Sequence, residues 1–102
     1  MKLEYTWSAV EDLKNIHKYI SLDSSAAASR YVRLLKDRIK ILKSHPEIGK
    51  PIHTQRFEHL RQLLYQSYRI IYEFRDNKVI IIAIQHQSRL PGNLPSLEDI
   101  KI

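Results

Sequence analysis

Histidine and arginine are the side chains whose positions in this chain could serve chemistry. The 102 residues include no cysteine. Disulfide frameworks, zinc–thiolate sites and thiol catalysis are therefore excluded. His45, His53 and His59 fall in one stretch that is interrupted by proline and glycine, where a metal site is conceivable. No two of these histidines have the i, i+4 spacing of a helical ligand pair. We interpret them as solvated loop residues and expect neither a metal nor a cofactor.

A second set of polar residues lies along Tyr68–Arg89, a stretch whose pattern predicts two β-strands joined by a turn at Asp76-Asn77. The first arm alternates apolar and polar residues, as a half-buried strand does. The second arm is apolar without interruption over Val79–Ile84, which is typical of a central strand covered on both faces. Asp-Asn tolerates positive φ and suits a tight turn. The sequence therefore predicts a β-hairpin at the centre of the fold.

The length of the turn fixes which hairpin side chains share a face of the sheet. A two-residue turn predicts a core face with three facing pairs: Phe74 with Val79, Tyr72 with Ile81, and Ile70 with Ala83. A one-residue bulge would break this assignment. If the preceding turn also has an even length, Arg61 joins the core face, where it needs a carboxylate partner or a position at the sheet edge.

The opposite face of the hairpin is predicted to be open. Arg69 and His86 would be diagonal neighbours on it. Apolar patches with polar rims mark partner sites, so we predict that this face binds another protein. The alternatives are that the C-terminal tail covers the face or that the protein dimerises. The predicted patch consists of Ile71, Ile80, Ile82 and Ile84. Its polar rim consists of Arg69, Arg75, His86 and Arg89.

The elements before the hairpin are predicted to be a strand and a helical pair. Residues 2–7 alternate as a first strand, and Ser8 with Glu11 forms a capping-box pattern for a helix over 9–21. Apolar residues at helical spacing predict a second helix that runs to about Lys43, with its cap at residue 23, 24 or 25. The short join predicts an antiparallel helical hairpin. Pro46 and Gly49 then end the helical region.

A strand over 60–65 precedes the central hairpin, and residues 90–102 read as an extended tail. The predicted order is β-α-α-β-β-β in one domain that spans residues 1–102. We therefore predict an α+β fold in which the helical hairpin packs on one face of a mainly antiparallel sheet.

Charge and hydropathy limit the class of protein. The formal net charge of +6 favours acidic partners. The basic residues are spread over several predicted elements, so no single helix is marked for reading duplex DNA. No apolar run approaches the ~20 residues that span a bilayer, and the N-terminus carries charge where a signal peptide needs an apolar core. We expect a cytoplasmic protein without a membrane partner.

The chain resembles the RelE/ParE superfamily of bacterial toxins from toxin–antitoxin modules, sometimes called plasmid stabilisation proteins. The resemblance runs from Trp7 to Arg89, and it is specific through the joint order and spacing of its pieces. It implies the fold predicted above, growth inhibition, and a cognate antitoxin that binds and neutralises the toxin in a hetero-oligomer. The matching pieces are Trp7-Ser8 with Glu11-Asp12-Leu13, Ile16-His17-Lys18-Tyr19-Ile20, Ala27-Ala28 with Arg30, Leu42 with His45-Pro46-Glu47-Ile48-Gly49, Leu60-Arg61-Gln62-Leu63, Tyr68-Arg69-Ile70-Ile71-Tyr72, and His86-Gln87-Ser88-Arg89.

One branch of the superfamily implies catalysis. RelE-like members are endoribonucleases that cut mRNA on the ribosome, and their chemistry needs cations around the scissile phosphate and a group that activates the 2′-hydroxyl. The resemblance places Arg69 and Arg89 at the two arginine positions of that site. His86 could replace a base, since neutral imidazole suits that task.

Two departures weaken this nuclease interpretation. The lysine positions of RelE fall near Leu60 and Gln62, and no tyrosine follows Tyr72. ParE-like members instead inhibit DNA gyrase, and the Leu60-Arg61, Pro46–Gly49 and His86–Arg89 pieces are closer to that branch. The resemblance therefore implies, first, a ParE-like gyrase inhibitor without catalysis of its own and, second, a RelE-like nuclease. In a third interpretation, the arginines have a structural role only. Arg61, Arg69 and Arg89 then form ion pairs with Glu73, Glu58 or the antitoxin.

Overall fold

The protein folds as a helical hairpin packed against a five-stranded sheet, as a computed structural model shows for residues 1–52 and 59–88. The strands lie in the order β1-β5-β4-β3-β2, with β1 parallel to β5 and all other neighbours antiparallel. The predicted α+β fold and its β-α-α-β-β-β order are confirmed, with the two-residue β2 added. The elements are β1 (Lys2–Tyr5), α1 (Trp7–Ser21), α2 (Ser25–Lys40), a 3₁₀ turn (Ile41–Lys43), β2 (Lys50–Pro51), β3 (Arg61–Tyr65), β4 (Tyr68–Arg75) and β5 (Lys78–His86).

Helix α1 begins two residues earlier than predicted, because Thr6 rather than Ser8 is its N-cap. The Thr6 hydroxyl accepts a hydrogen bond from the Ala9 amide at 3.0 Å and donates one to the Ile82 carbonyl at 2.8 Å. The capping box at Ser8 is therefore wrong. Thr6 caps the helix and also bonds a strand that is distant in sequence, and the local sequence pattern does not indicate this second bond.

Helix α2 is capped by Ser24, whose hydroxyl accepts from the Ala27 amide at 3.1 Å. The predicted helix to about Lys43 ends as α-helix at Lys40, and its last turn tightens into the 3₁₀ turn. The apolar stripes of both helices pack on one face of the sheet, which we call the helix-side face. Its buried core comprises Ala9, Leu13, Ile16, Leu35, Ile39, Leu42, Leu63, Ile70, Tyr72, Val79, Ile81 and Ile84.

The predicted register is correct at the turn end of the β4–β5 hairpin and wrong at the other end. Asp76 and Asn77 have φ of 52° and 61°, and the pairs Phe74–Val79 and Tyr72–Ile81 are confirmed. A bulge between Ile71 and Tyr72 then shifts the pairing by one residue. Beyond this bulge Ile71 faces Ala83, and Ile70 faces Ile84 instead of Ala83.

The bulge also changes which residues share a face. Ile84 belongs to the helix-side core, so its predicted place on the open face is wrong. Ile71, Ile80 and Ile82 do lie on the other face, which we call the second face, but each is at most 2% exposed. The predicted exposed patch is therefore wrong. The second face is a separate buried cluster of Ile52, Leu60, Ile71, Ile80, Ile82 and Ala83.

Candidate functional site

His86 and Arg69, the central pair of the predicted site, do not lie together. His86 pairs with Tyr68 across the hairpin, and their ring centroids are 5.6 Å apart on the helix-side face. Arg69 pairs with Gln85, so its side chain leaves the sheet on the second face. The prediction that Arg69 and His86 are diagonal neighbours is wrong, because the bulge turns the end of β5 by one residue.

Arg69 is partly buried and only partly satisfied. Its Nη2 donates to the Gln87 carbonyl at 3.4 Å, and its buried Nε has no hydrogen-bond partner in the described part of the chain. Glu73 does not pair with it as the structural reading proposed. That carboxylate is 4% exposed and bonds Arg75 Nε and His59 Nε2, each at 3.3 Å. A buried carboxylate that is held by an arginine and a histidine side chain has a structural role.

Arg61 lies on the helix-side face opposite Tyr72, which confirms the prediction from an even turn. Within residues 1–52 and 59–88, its hydrogen-bond partners are backbone carbonyls, and Glu58 lies outside the described residues. Nη1 donates to the Gly49 carbonyl at 2.8 Å and to the Glu47 carbonyl at 3.2 Å. The guanidinium carbon also lies 5.5 Å from the centroid of the Phe74 ring, a cation–π distance. Arg61 therefore ties the loop after α2 to the sheet.

Tyr72, in the sheet, hydrogen-bonds the same loop. Its hydroxyl donates to the Pro46 carbonyl at 2.6 Å and accepts from the Gly49 amide at 2.9 Å. Burial raises the pKa of Tyr72, so the phenol stays protonated. The loop approaches so closely that a Cβ on Gly49 would lie 2.5 Å from the Tyr72 hydroxyl. Sequence reasoning placed Tyr72 in the core but missed this bond; a buried tyrosine needs a polar partner, which was the available signal.

A groove lined by tyrosines, which we call the tyrosine groove, opens at the His86 end of the sheet. Sequence reasoning missed it because its tyrosines come from α1, α2 and β4. The Tyr31 and Tyr68 centroids are 6.1 Å apart, and burial raises the pKa of both phenols. The groove encloses about 530 Å³ and is lined by Tyr19, Ile20, Tyr31, Gln66, Ser67, Tyr68 and His86.

A second groove, which we call the helical groove, follows the seam between α1, α2 and the end of β1. Its floor is apolar and its rim carries Lys14 and Lys36. Burial raises the pKa of Tyr5 in this groove to about 12, so its phenol is neutral at physiological pH. The groove encloses about 330 Å³ and is lined by Tyr5, Val10, Leu13, Lys14, His17, Val32 and Lys36.

The remaining predictions concern a metal site, the C-terminal tail and membrane association. Arg89, His53 and the tail over 90–102 lie outside the described residues. Within residues 1–52 and 59–88, no group of three or more histidine, aspartate or glutamate side chains could hold a metal ion. Over the same ranges, no helix has the length and apolar character needed to cross a membrane.

Comparison with known proteins gives a consistent family. The family model described as the ParE toxin of the type II toxin–antitoxin system parDE matches residues 3–91. Toxin RelE2 of Caulobacter vibrioides is 36% identical over 87 residues, which cover 84% of this chain and 94% of that protein.

Solved structures show the same fold. A chain of the chromosomal ParDE toxin–antitoxin system from P. aeruginosa superposes with a TM-score of 0.73 at 21% identity, covering 84% of this chain and 95% of that one. A chain of the toxin–antitoxin complex RelBE2 from Mycobacterium tuberculosis gives a TM-score of 0.58, also at 21% identity, with coverage of 84% and 96%. The match over residues 3–91 and the 36% identical relative show that this chain belongs to the ParE toxin family, within the RelE/ParE superfamily of type II toxin–antitoxin toxins.

Proposed function

We propose that this chain is a ParE-like toxin that inhibits DNA gyrase by binding it, has no catalysis of its own, and is neutralised by a cognate antitoxin. The observation that carries this choice is the separation of Arg69 and His86 onto opposite faces of the sheet. A nuclease needs its cation and its base around one scissile phosphate. Side chains that leave a sheet on opposite faces do not both contact one phosphate.

The other candidate cations and acids of the site support the same choice. Arg61 is engaged by the carbonyls of the loop after α2, and Glu73 by Arg75 and His59. Each of these groups has a structural partner and is not aimed at a common point. The matching family model is likewise described as a ParE toxin.

A RelE-like endoribonuclease acting on mRNA in the ribosome is the second candidate. The relative named Toxin RelE2 favours it. In that case Arg69, His86 and Arg89 are the catalytic candidates.

For the antitoxin we propose the helical groove as a binding surface. The relatives with solved structures come from toxin–antitoxin systems, and an apolar floor with a basic rim fits an amphipathic segment with acidic flanks. Because Ile71, Ile80 and Ile82 are buried, they are poor first contacts. Arg69 and His86 remain candidate contacts at the two faces.

Gyrase supercoiling with purified components tests the proposal. We expect the wild-type chain to inhibit supercoiling in a dose-dependent way and to leave a reporter mRNA intact in a translating extract. Adding the antitoxin encoded beside the toxin should restore supercoiling. Unaffected gyrase at toxin excess, together with mRNA cleavage that depends on the ribosome, would establish the nuclease instead.

The surface for the antitoxin is tested separately by charge reversal. Lys14→Glu with Lys36→Glu should weaken antitoxin binding at least tenfold and leave gyrase inhibition intact. Lys43→Glu with Lys50→Glu makes the same charge change on exposed residues outside the groove and is the matched control. Equal binding by the two double variants would exclude the helical groove.

A further inference from the structure

We propose that the outer surface of the helical hairpin binds a small phosphate-bearing anion in a cleft between α1 and α2, which we call the outer cleft. The outer cleft encloses about 360 Å³, a volume in the range of small-ligand sites. Binding there does not depend on the identity of the toxin's target. The outer cleft is lined by His17, Ser29, Val32, Arg33, Lys36, Asp37 and Lys40.

The positive charge of the outer cleft is only partly neutralised. Arg33, Lys36 and Lys40 are exposed side chains of α2, and Asp37 is the one carboxylate of the lining. Asp37 forms an ion pair with Lys40 at 3.9 Å. Arg33 and Lys36 have no ion pair within residues 1–52 and 59–88. Three cations and one carboxylate leave an excess of two positive charges, which matches the charge of a phosphate dianion.

A hydroxyl and an imidazole add directional hydrogen-bond donors. His17 Nε2 lies 3.2 Å from Ser29 Oγ, and this bond links α1 to α2. If Nε2 carries the ring proton, the proton of the Ser29 hydroxyl has no acceptor in the described part of the chain; if the hydroxyl donates, the ring proton is on Nδ1 and has none. In either tautomer, one proton of this pair is therefore available to an anion.

Helical spacing brings the donors of α2 to one side of the helix. Ser29 and Arg33 are four residues apart, and Lys36 and Lys40 follow at intervals of three and four. The guanidinium of Arg33 presents a planar fork of N–H groups that matches two phosphate oxygens, and Lys36 adds a point charge. One exposed ion pair contributes little, whereas several charges around one anion in a concave site act together.

The lining fits a small anion better than a peptide. Val32 is its one apolar side chain, whereas a docked amphipathic helix needs several apolar anchors. The helical groove, with its apolar floor, has the opposite character. The two sites on the helical hairpin therefore select different chemistry.

An NMR titration of the full-length toxin with inorganic phosphate tests the site. Phosphate replaces chloride at constant pH and ionic strength, so that general screening does not change. We expect saturable shifts of the Ser29 and Arg33 amides, with a dissociation constant on the order of 1 mM. Glycerol phosphate is titrated separately. Tighter binding of this ester would identify a phosphorylated metabolite as the ligand, and equal or weaker binding would identify free phosphate.

Three substitutions at exposed residues complete the test. Arg33→Gln should weaken phosphate binding by roughly tenfold, because the fork of donors is lost. Asp37→Asn should strengthen it by about threefold, because the one carboxylate is neutralised. Arg30→Gln makes the same charge change as Arg33→Gln on the same helix but outside the lining, and should change binding by less than about twofold.

Two results would overturn the inference. Shifts that do not saturate would show that no phosphate site exists. Equal losses in Arg33→Gln and Arg30→Gln would reduce binding to general charge attraction. Circular dichroism establishes that each variant is folded, so a loss of binding in Arg33→Gln reports on the site.

A consequence for regulation rests on the proposed antitoxin surface, because Lys36 lines both the outer cleft and the helical groove. A bound phosphate offsets the charge that Lys36 offers to an acidic segment. We expect saturating phosphate to weaken antitoxin binding by about threefold in the wild-type chain and to have no effect in Arg33→Gln. A saturable phosphate site without this effect would contradict the shared role of Lys36 and would leave the phosphate site established. Gyrase inhibition is measured separately, so its failure is distinguishable from both.

Discussion

The two ends of the β4–β5 hairpin are held in different ways. At the turn end, Asp76 and Asn77 adopt left-handed φ and the strands pair in simple register. At the bulge end, β1 has stopped at Tyr5, and side chains from the start of α1 replace a strand partner. Thr6 donates to the Ile82 carbonyl at 2.8 Å, and Asp12 accepts from the Ile84 amide at 2.8 Å.

This difference explains where the functional candidates lie. The turn end depends on neighbouring residues, whereas the bulge end depends on contacts between residues more than seventy positions apart. Arg69 and His86 are both at the bulge end, and its one-residue shift puts them on opposite faces. The hairpin therefore carries two separate surfaces where a regular hairpin would carry one site. Changes at the bulge end should cost more stability than changes at the turn.

Gly49→Ala should give the largest effect. The new Cβ would lie 2.5 Å from the hydroxyl of Tyr72, next to the bulge, and 2.9 Å from the Gln62 carbonyl. Tyr72 is fully buried and cannot move aside cheaply. We expect a loss of about 3 kcal/mol in the free energy of unfolding, measured by urea denaturation. Ile48→Ala changes an exposed neighbour in the same loop and should cost under ~1 kcal/mol; equal losses would contradict the close approach.

Thr6→Val should come next. The substitution keeps the shape of the side chain but leaves the Ala9 amide and the Ile82 carbonyl without their partner. We expect the free energy of unfolding to fall by about 2 kcal/mol. Thr6→Ser keeps the hydroxyl and is the control. If the valine variant is as stable as the serine variant, the hydroxyl does not hold the bulge end.

Asn77→Gly should give the smallest effect, at the turn end, and with the opposite sign. Asn77 has φ of 61°, a conformation that glycine adopts without strain. We expect a gain of about 0.5 kcal/mol in thermal or urea unfolding, whereas Asn77→Ala should lose about 1 kcal/mol. A destabilised glycine variant would mean that the Asn77 side chain matters more than its backbone.

The same contrast separates the features that the sequence predicts from those that it does not. Helical spacing and strand alternation predict the order of elements and the turn at Asp76-Asn77, because those features depend on local residues. The bulge has no local signature: Val79–Ile84 is apolar throughout, so either register buries apolar residues. The cap at Thr6 was missed because its second bond goes to Ile82. The tyrosine groove was missed because tertiary packing assembles it from separate elements.

The most direct test of the separation is a double-mutant comparison of Arg69→Ala and His86→Ala. The readout is the toxin level that halves the growth rate of cells, which requires no assumption about the target. Urea denaturation first establishes that each variant is folded. We predict that the two effects multiply in the double variant to within about twofold, as for independent sites. If either single substitution removes as much toxicity as both together, Arg69 and His86 act as one site, and the account is wrong.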